Sequence, residues 1–295
     1  MPGSWQDPGV DAPYAIVERL EDGVGRLLAR NPSPFTYFGT QTYLVGDDEL
    51  VVIDPGPDMP EHVEAIITAL NGRTLGAIAC THTHRDHSPA SRALKETTGA
   101  PIIGCAPLVL ESIGPRADAS FDKEYAPDQV LADGQAIEFD GGKRLVAVAT
   151  PGHTSNHLCF AFGDALFTGD HVMGWSTTVV VPPDGEMGAY MKSLDHLRQR
   201  GDRIYYPAHG PAVTKPMQLI RGMIGHRLQR ERQILRLVEE SARDVSDIVA
   251  KAYPGLDQRL VPAAGGSVLA HLLDLQKRGL VELGEGETWS KAKAA

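Results

Sequence analysis

The sequence predicts an α/β protein of two domains, the second small and helical. Three observations carry that reading. The chain has 295 residues, about twice the roughly 150 residues of a common domain. Short apolar runs alternate with turn residues and helical patterns in the first part, the order expected of sheets covered by helices. From Met217 onward the pattern becomes helical. The charge changes near the same place. Residues 221–295 carry 12 basic and 10 acidic side chains, against 16 and 28 in residues 1–220. The chain-wide balance of -10 favours solubility and argues against a protein that coats polyanions.

The elements follow in order. Thr42–Val45 and Leu50–Ile53 are apolar runs around the turn residues Gly46, Asp47 and Asp48, which predicts a hairpin. Between Met59 and Leu70, Val63, Ile66, Ile67 and Leu70 have helical spacing, and Asn71 and Gly72 end it. Leu75–Cys80 is a buried strand, followed by a helix near Pro89–Thr98 and a strand at Pro101–Gly104. Further strands are predicted at Gln135–Phe139, Leu145–Ala149, Leu158–Phe162, Ala165–Thr168 and Arg203–Tyr206, with a helix over Met187–Arg200. The C-terminal part reads as helices over Met217–Ala242, Ser246–Tyr253 and Ser267–Arg278 and a hairpin from Gly279, with Gly222 and Gly225 as candidate breaks in the first. Three helices and a hairpin make the pattern of a winged helix.

Composition narrows the class. Apolar residues are 42% and charged residues 22%, as in an ordinary globular chain. Cys80, Cys105 and Cys159 are too few for a disulfide framework and read as buried thiols in a reducing compartment. The first residues lack a basic stretch followed by an apolar one, and no run approaches the roughly 18 apolar residues of a spanning helix. The expectation is a cytoplasmic protein with no membrane partner.

The chemistry is concentrated in a few positions. His82, His84, Asp86 and His87 fall within six residues at the end of a buried strand. A loop there can turn His82 and His84 toward one point and Asp86 and His87 toward a neighbouring one. His153 follows Pro151 and Gly152, Asp170 follows Thr168 and Gly169, and His209 follows Pro207 and Ala208. Each lies where a strand meets a loop, the usual place for a site on a sheet scaffold. Imidazoles and carboxylates at such density suit a metal such as zinc. Gly23 and Gly25 do not form a dinucleotide loop, because no strand precedes them and no third glycine follows at the right offset.

On these residues the sequence resembles the metallo-beta-lactamase superfamily, whose dinuclear pattern is present in order. The resemblance implies a four-layer αββα sandwich over residues 14–215, leaving 216–295 as the winged-helix-like domain. It also implies two zinc ions per chain, with iron and manganese left open. His82, His84 and His153 would hold the first and Asp86, His87 and His209 the second, with Asp170 bridging them. Asp54 would brace the metal loop and His171 would orient Asp170. Trp175, Ser176 and Thr177 would border the substrate pocket, with Thr178 beside them. Residues Gly39–Gly46, Thr81–Ser88, Thr168–Val179 and Tyr206–Pro211 are similar in particular to the beta-lactamase-like protein 2 branch, which carries a C-terminal winged helix. The chain departs from that branch around Pro182–Glu186, which bears on substrate identity.

The implied activity is metal-dependent hydrolysis by a metal-bridging hydroxide, with Asp86 also handling a leaving-group proton. The expected substrate is a small ester, thioester, lactone or lactam. The alternative, implied by the same branch, is an endoribonuclease cleaving single-stranded RNA. It draws on Arg227, Arg230, Arg232 and Arg236 along one helical pattern and is weighed down by the acidic catalytic part. A non-enzymatic ligand sensor that binds DNA is the remote reading, since Ser267–Arg278 is mostly apolar. The apolar positions between residues 217 and 238 leave a homodimer contact open beside core packing.

Overall fold

The structure is a computed structural model and describes residues 12–110, 121–241 and 243–292. Two compact units emerge. The first comprises Met1–Thr150, Asn156–Ser176 and Gly201–Pro216, and the second Pro151–Ser155, Thr177–Arg200 and Met217–Ala295.

The first unit stacks a helical layer on two sheets. One sheet orders seven described strands as they occur in the chain: β1 (Glu18–Glu21), β2 (Val24–Leu28), β3 (Gln41–Val45), β4 (Glu49–Ile53), β5 (Thr74–Cys80), β6 (Ile102–Gly104) and β7 (Gln129–Val130). Strands β1 to β4 pair antiparallel, and β4 to β7 pair parallel. The change of direction follows from the connections. Gly46 and its neighbours close a tight hairpin between β3 and β4. The crossovers from β4 to β5 and from β5 to β6 contain helices α1 (Pro60–Leu70) and α2 (Ala90–Thr98), and a helical crossover returns the chain parallel. Helix α1 lays Val63, Ile66 and Leu70 on the sheet, and α2 adds Ala90 and Leu94.

The second sheet runs β12-β11-β10-β9-β8, from β8 (Ala136–Phe139), β9 (Lys143–Ala149), β10 (Leu158–Phe162), β11 (Ala165–Gly169) and β12 (Ile204–Pro207). One core joins the sheets: Val52, Ile78, Leu145, Phe160 and Phe167 belong to the same buried cluster. Its strands are apolar on both faces, so residues such as Val51–Ile53 and Ala77–Cys80 run without polar interruption. The mixed α/β sandwich is therefore the class that the sequence predicts. Strands β1, β2 and β7 have no counterpart in that reading. They are short and half-exposed, and Gly23 and Gly25 belong to the β1–β2 hairpin.

The second unit gathers α3 (Met187–Arg198), α4 (Pro216–Glu240), α5 (Val245–Ala252), α6 (Val261–Lys277) and a hairpin of β13 (Val281–Leu283) and β14 (Trp289–Lys291). Ile234, Val238, Ile248, Val268, Leu272, Val281 and Trp289 form its core, so Ile234 and Val238 are spent on packing within the chain. Asp244 caps α5 by accepting from Asp247 N at 2.8 Å. Helix α4 is unbroken at Gly222 and Gly225. Both are exposed, and their helix penalty of about 1 kcal/mol each is outweighed by the buried Ile220, Met223, Ile234 and Val238. Helix α6 starts at Val261 rather than Ser267 and runs through Gly265 and Gly266. A Cβ at Gly266 would lie 2.6 Å from a Val181 methyl, so glycine marks a close approach there and not a helix end.

No described helix is long and apolar enough to cross a membrane. All three cysteines are free and buried, as their small number predicts.

One buried histidine gives the fold a pH dependence. His62 on α1 faces Thr42 Oγ1 at 2.8 Å, and that hydroxyl donates to Asp54 O at 2.7 Å, so His62 Nε2 must be the donor. Burial pushes the His62 imidazole down to about 4, with Glu61 opposing weakly. A histidine with a depressed folded pKa contributes fully above its unfolded value and loses that contribution as pH falls toward the folded value. Melting temperature should therefore drop between about pH 6.5 and pH 4. In His62→Gln, which keeps an N–H donor without a titrating ring, the drop measured by thermal unfolding should be smaller by several degrees.

Candidate metal centre

Four strand ends of the first unit carry the site. Asp54 follows β4, His82 to His87 follow β5, Asp170 follows β11, and His209 follows β12. Strands β4 and β5 run parallel, as do β11 and β12. In each sheet the two functional loops thus leave the same edge, the geometry open α/β sheets use for binding. Main-chain bonds tie the loops together. Gly56 N donates to His87 O at 2.8 Å, Leu158 N to Thr81 O at 2.8 Å, Ala208 N to Gly169 O at 3.0 Å, and Gln41 N to Ala208 O at 2.8 Å.

Asp54 sits behind the metal loop with 2% of its surface exposed. Its backbone is left-handed, with φ at +48°, a conformation an aspartate tolerates better than most residues. Its carboxylate accepts from Thr81 N at 2.8 Å, from the Thr81 hydroxyl at 2.7 Å and from His87 Nδ1 at 3.0 Å. A buried carboxylate is tolerable only with such donors. Three of them make Asp54 a brace.

These bonds also set the imidazole tautomers. His87 gives its Nδ1 proton to Asp54, which turns Nε2 toward the other ligands. The Thr81 hydroxyl spends its proton on Asp54, so it accepts from His82 Nδ1 at 3.0 Å and leaves His82 Nε2 as the lone-pair nitrogen. His209 Nδ1 donates to Gly39 O at 3.2 Å. In the second unit, His153 Nδ1 donates to Val179 O at 2.6 Å, and Ser155 N and Glu186 N fix the same loop by donating to Asp184 and Gly152 O. Four rings thus have one nitrogen tied to an oxygen and the other turned away from it, the outer-shell pattern of metal-binding histidines.

The groups converge. In the first unit His82, His84 and Asp170 each offer an atom within 4.8 Å of the others, and so do Asp54, His82 and His87, and Asp86, His87 and His209. His82 Nε2 and His84 Nδ1 are 2.9 Å apart. His209 Nε2 is 3.2 Å from both Asp86 Oδ2 and Asp170 Oδ1. His87 Nε2 is buried without a hydrogen-bond partner, 3.4 Å from Asp86 Oδ2 and 3.6 Å from Asp170 Oδ1. A buried imidazole nitrogen set between two carboxylates without a hydrogen bond of its own marks a place for a positive charge, so these residues fit a metal.

The same crowding shifts the titrations. Burial would raise the Asp86 carboxyl, but the His87 and His209 imidazoles hold it well below the carboxylate range. Burial would lower His87, yet Asp86, Asp170 and Asp54 raise it well above its usual value. Burial is likewise outweighed at His209, raised by Asp170 and Asp86.

Of the other residues named from sequence, His171, Trp175 and Ser176 belong to the first unit and Thr177 and Thr178 to the second. His171 is fully buried, with its ring 5.8 Å from that of His157. His157 accepts from Asp170 N at 3.2 Å and pairs with Thr150 Oγ1 through Nδ1 at 2.8 Å, so it fixes the backbone of Asp170 more directly. Trp175 packs on Tyr37 at 5.0 Å in the first unit, and Ser176 is half-buried there. Thr177 is exposed and Thr178 buried in the second unit, where the Thr178 carbonyl accepts from Arg227.

A second brace went unread in the sequence. The Phe121 ring stacks on His84 at 4.7 Å, and Asp122 N donates to Thr83 O at 2.7 Å. The buried Asp122 carboxylate accepts from the Ser88 hydroxyl and from Arg92, both at 2.9 Å. This segment grips the metal loop without any local motif, since its contacts lie 30 or more residues away in the chain.

Comparison with known proteins agrees with this architecture. Residues 36–209 match the Metallo-beta-lactamase superfamily model and residues 245–289 the Beta-lactamase associated winged helix domain. The Beta-lactamase-like protein 2 homolog of Caenorhabditis elegans is 30% identical over 280 residues, spanning 92% of this chain and 90% of that protein. The atrochrysone carboxyl ACP thioesterase of Aspergillus chevalieri is 34% identical over 237 residues, 78% of this chain and 70% of that protein. A beta-lactamase domain protein from Burkholderia ambifaria shares the fold, with a TM-score of 0.78 at 19% identity over 97% of each chain.

Two expectations follow from this geometry. Asp54→Ala and Asp122→Ala should each weaken metal binding by roughly 10–100-fold, read by competition with a chromophoric chelator. Gly169→Ala should destabilise the protein by about 1–3 kcal/mol in urea unfolding. Its φ is +49°, and a Cβ there would lie 2.8 Å from both His157 Nε2 and Thr81 Oγ1.

Proposed function

The chain belongs to the metallo-beta-lactamase superfamily, and from that premise we propose that it is a metal-dependent hydrolase of small acyl substrates, thioesters foremost. Esters, lactones and lactams share the same scissile carbonyl. The observation that carries the reading is the bare His87 Nε2 flanked by the Asp86 and Asp170 carboxylates. The ACP thioesterase relative supports the choice of thioester.

In this reading His82, His84 and His153 would hold one zinc ion and Asp86, His87 and His209 a second, with Asp170 available to either. Such ions, when bound, lower the pKa of water and polarise the scissile carbonyl. The protein residues do the rest. Asp54 and Thr81 hold the His87 and His82 rings in the tautomer that leaves Nε2 available. Asp86 is the most open of the first unit's carboxylates here, with 28% of its side chain exposed against 12% for Asp170 and 2% for Asp54. In this reading its carboxylate would relay a proton to the leaving thiol. Trp175 and Ser176 are offered as the substrate border in the first unit, and His171 as a support of Asp170. The expected partner is a small molecule in the cytoplasm.

The endoribonuclease reading rests on the arginines of α4, and two of the four are committed within the second unit. Arg227 is buried and donates to Thr178 O, while Arg230 stacks on Tyr253 at 3.8 Å and donates to Ala252 O. Phosphate binding needs cations free to meet it.

Elemental analysis should find close to two equivalents of metal per chain. The purified protein should hydrolyse members of an acyl-thioester panel and leave labelled single-stranded RNA intact. An Asp86→Ala, His87→Ala double variant should lose the activity by at least a hundredfold while keeping its far-UV spectrum. A chelator should lower the melting temperature of the wild type and leave that of the double variant nearly unchanged. Activity retained in the double variant would overturn the assignment.

A further inference from the structure

A half-open cleft of about 270 Å³ lies in the first unit, apart from the metal-binding side chains. Its walls include Pro13, Ile16, Leu28, Tyr37, Phe38 and Pro211. Three polar residues also line it, and each is engaged with a neighbour. Arg26 pairs with Glu18 and donates to Gln41 Oε1, and Gln41 Nε2 donates to Gly210 O and to Pro207 O at 3.2 Å. The cleft therefore offers an apolar surface whose polar groups satisfy one another.

The topology sets this cleft at the metal end of the sheet. Strand β4 ends just before Asp54, and β3 pairs antiparallel with it, so β3 begins at that end with Gln41. Strand β2 pairs antiparallel with β3 and finishes there at Leu28. Gly39 lines the cleft and also accepts the Nδ1 proton of His209, and Gly210, another wall residue, follows His209 directly. The cleft and the metal centre thus share a backbone wall. Ile16, at its rim, keeps 62% of its surface in water, an exposed large apolar residue on an otherwise acidic part of the chain.

We propose that this cleft receives the acyl chain of the substrate, an unbranched apolar chain of medium length. The inference rests on the thioester reading. A thiol carrier bearing phosphate would need cations, and the cleft's one guanidinium is already paired with Glu18. An acyl chain needs only apolar surface out of water. A cavity of about 150 Å³ accommodates benzene, and on that scale 270 Å³ takes about ten carbons.

The experiment uses the metal-loaded full chain and a series of saturated acyl thioesters of one small thiol, from two to sixteen carbons. In the wild type kcat/KM should climb with chain length, by up to about fourfold per methylene, and level off near ten carbons. Leu28→Trp fills the cleft, whose lining includes none of the metal-site residues. It should flatten the climb and leave turnover of the two-carbon thioester within about twofold of the wild type. Decanoate binding, read by calorimetry, tests the cleft without turnover and should be lost in Leu28→Trp. A rate independent of chain length with no decanoate binding would overturn the proposal. So would an unchanged length profile in Leu28→Trp, or a dimer abolished by Leu28→Trp with no effect on either ligand, which would give the cleft to a second copy. If no thioester is hydrolysed yet decanoate binds the wild type and not the variant, the cleft stands and the thioester reading falls.

Discussion

The burial of the Asp54 carboxylate is the constraint around which the rest of the centre is arranged. Removing a carboxylate from water is costly unless donors replace the water. Here the replacements are Thr81 N, the Thr81 hydroxyl and His87 Nδ1, all from the loop that follows the neighbouring strand. One side chain thereby locks β4 to the β5 loop and orients two imidazoles. The left-handed backbone at Asp54 is part of the same arrangement, because the strand must turn at once to aim the carboxylate sideways.

From that lock the chemistry spreads outward. With His87 and His82 fixed, their Nε2 atoms point into a space that also receives Asp86, Asp170 and His209. Carboxylates and imidazole nitrogens crowd that space, a set that a cation would fit. Asp122 and Phe121 press the same loop from another direction, and His157 steadies Asp170 through its backbone. The site is thus rigid where metal would bind and open chiefly at Asp86, which suits an exchange of protons with a substrate. The apolar cleft beside Gly39 and Gly210 supplies what a charged centre lacks, a surface that holds hydrocarbon.

Much of this was legible in the chain. The dense run from His82 to His87 shows because its residues are neighbours in sequence and follow an apolar strand. The α1, α2 and β3 to β5 elements show because period and turn chemistry are local properties. Helix α6 begins before Ser267 because the helix tolerates Gly265 and Gly266, and Gly266 admits Val181 at close range. Strands β1 and β7 leave little trace in the sequence because they are short, exposed edge strands, and β2, though interior, mixes buried Val24 and Leu27 with half-exposed residues.

The sequence by itself determined the residue types, their order, and the strand-to-loop junctions that carry the chemistry, since propensity and periodicity act over a few residues. Only the tertiary structure decided which histidine nitrogen keeps its lone pair. That depends on oxygens as remote in the chain as Gly39 is from His209 and Asp54 from His87. It also decided that Asp122 braces the metal loop and that Arg227 is spent on Thr178. Hydrogen-bond partners separated by tens of residues leave no local pattern. They exist only once burial has made each polar group find a partner.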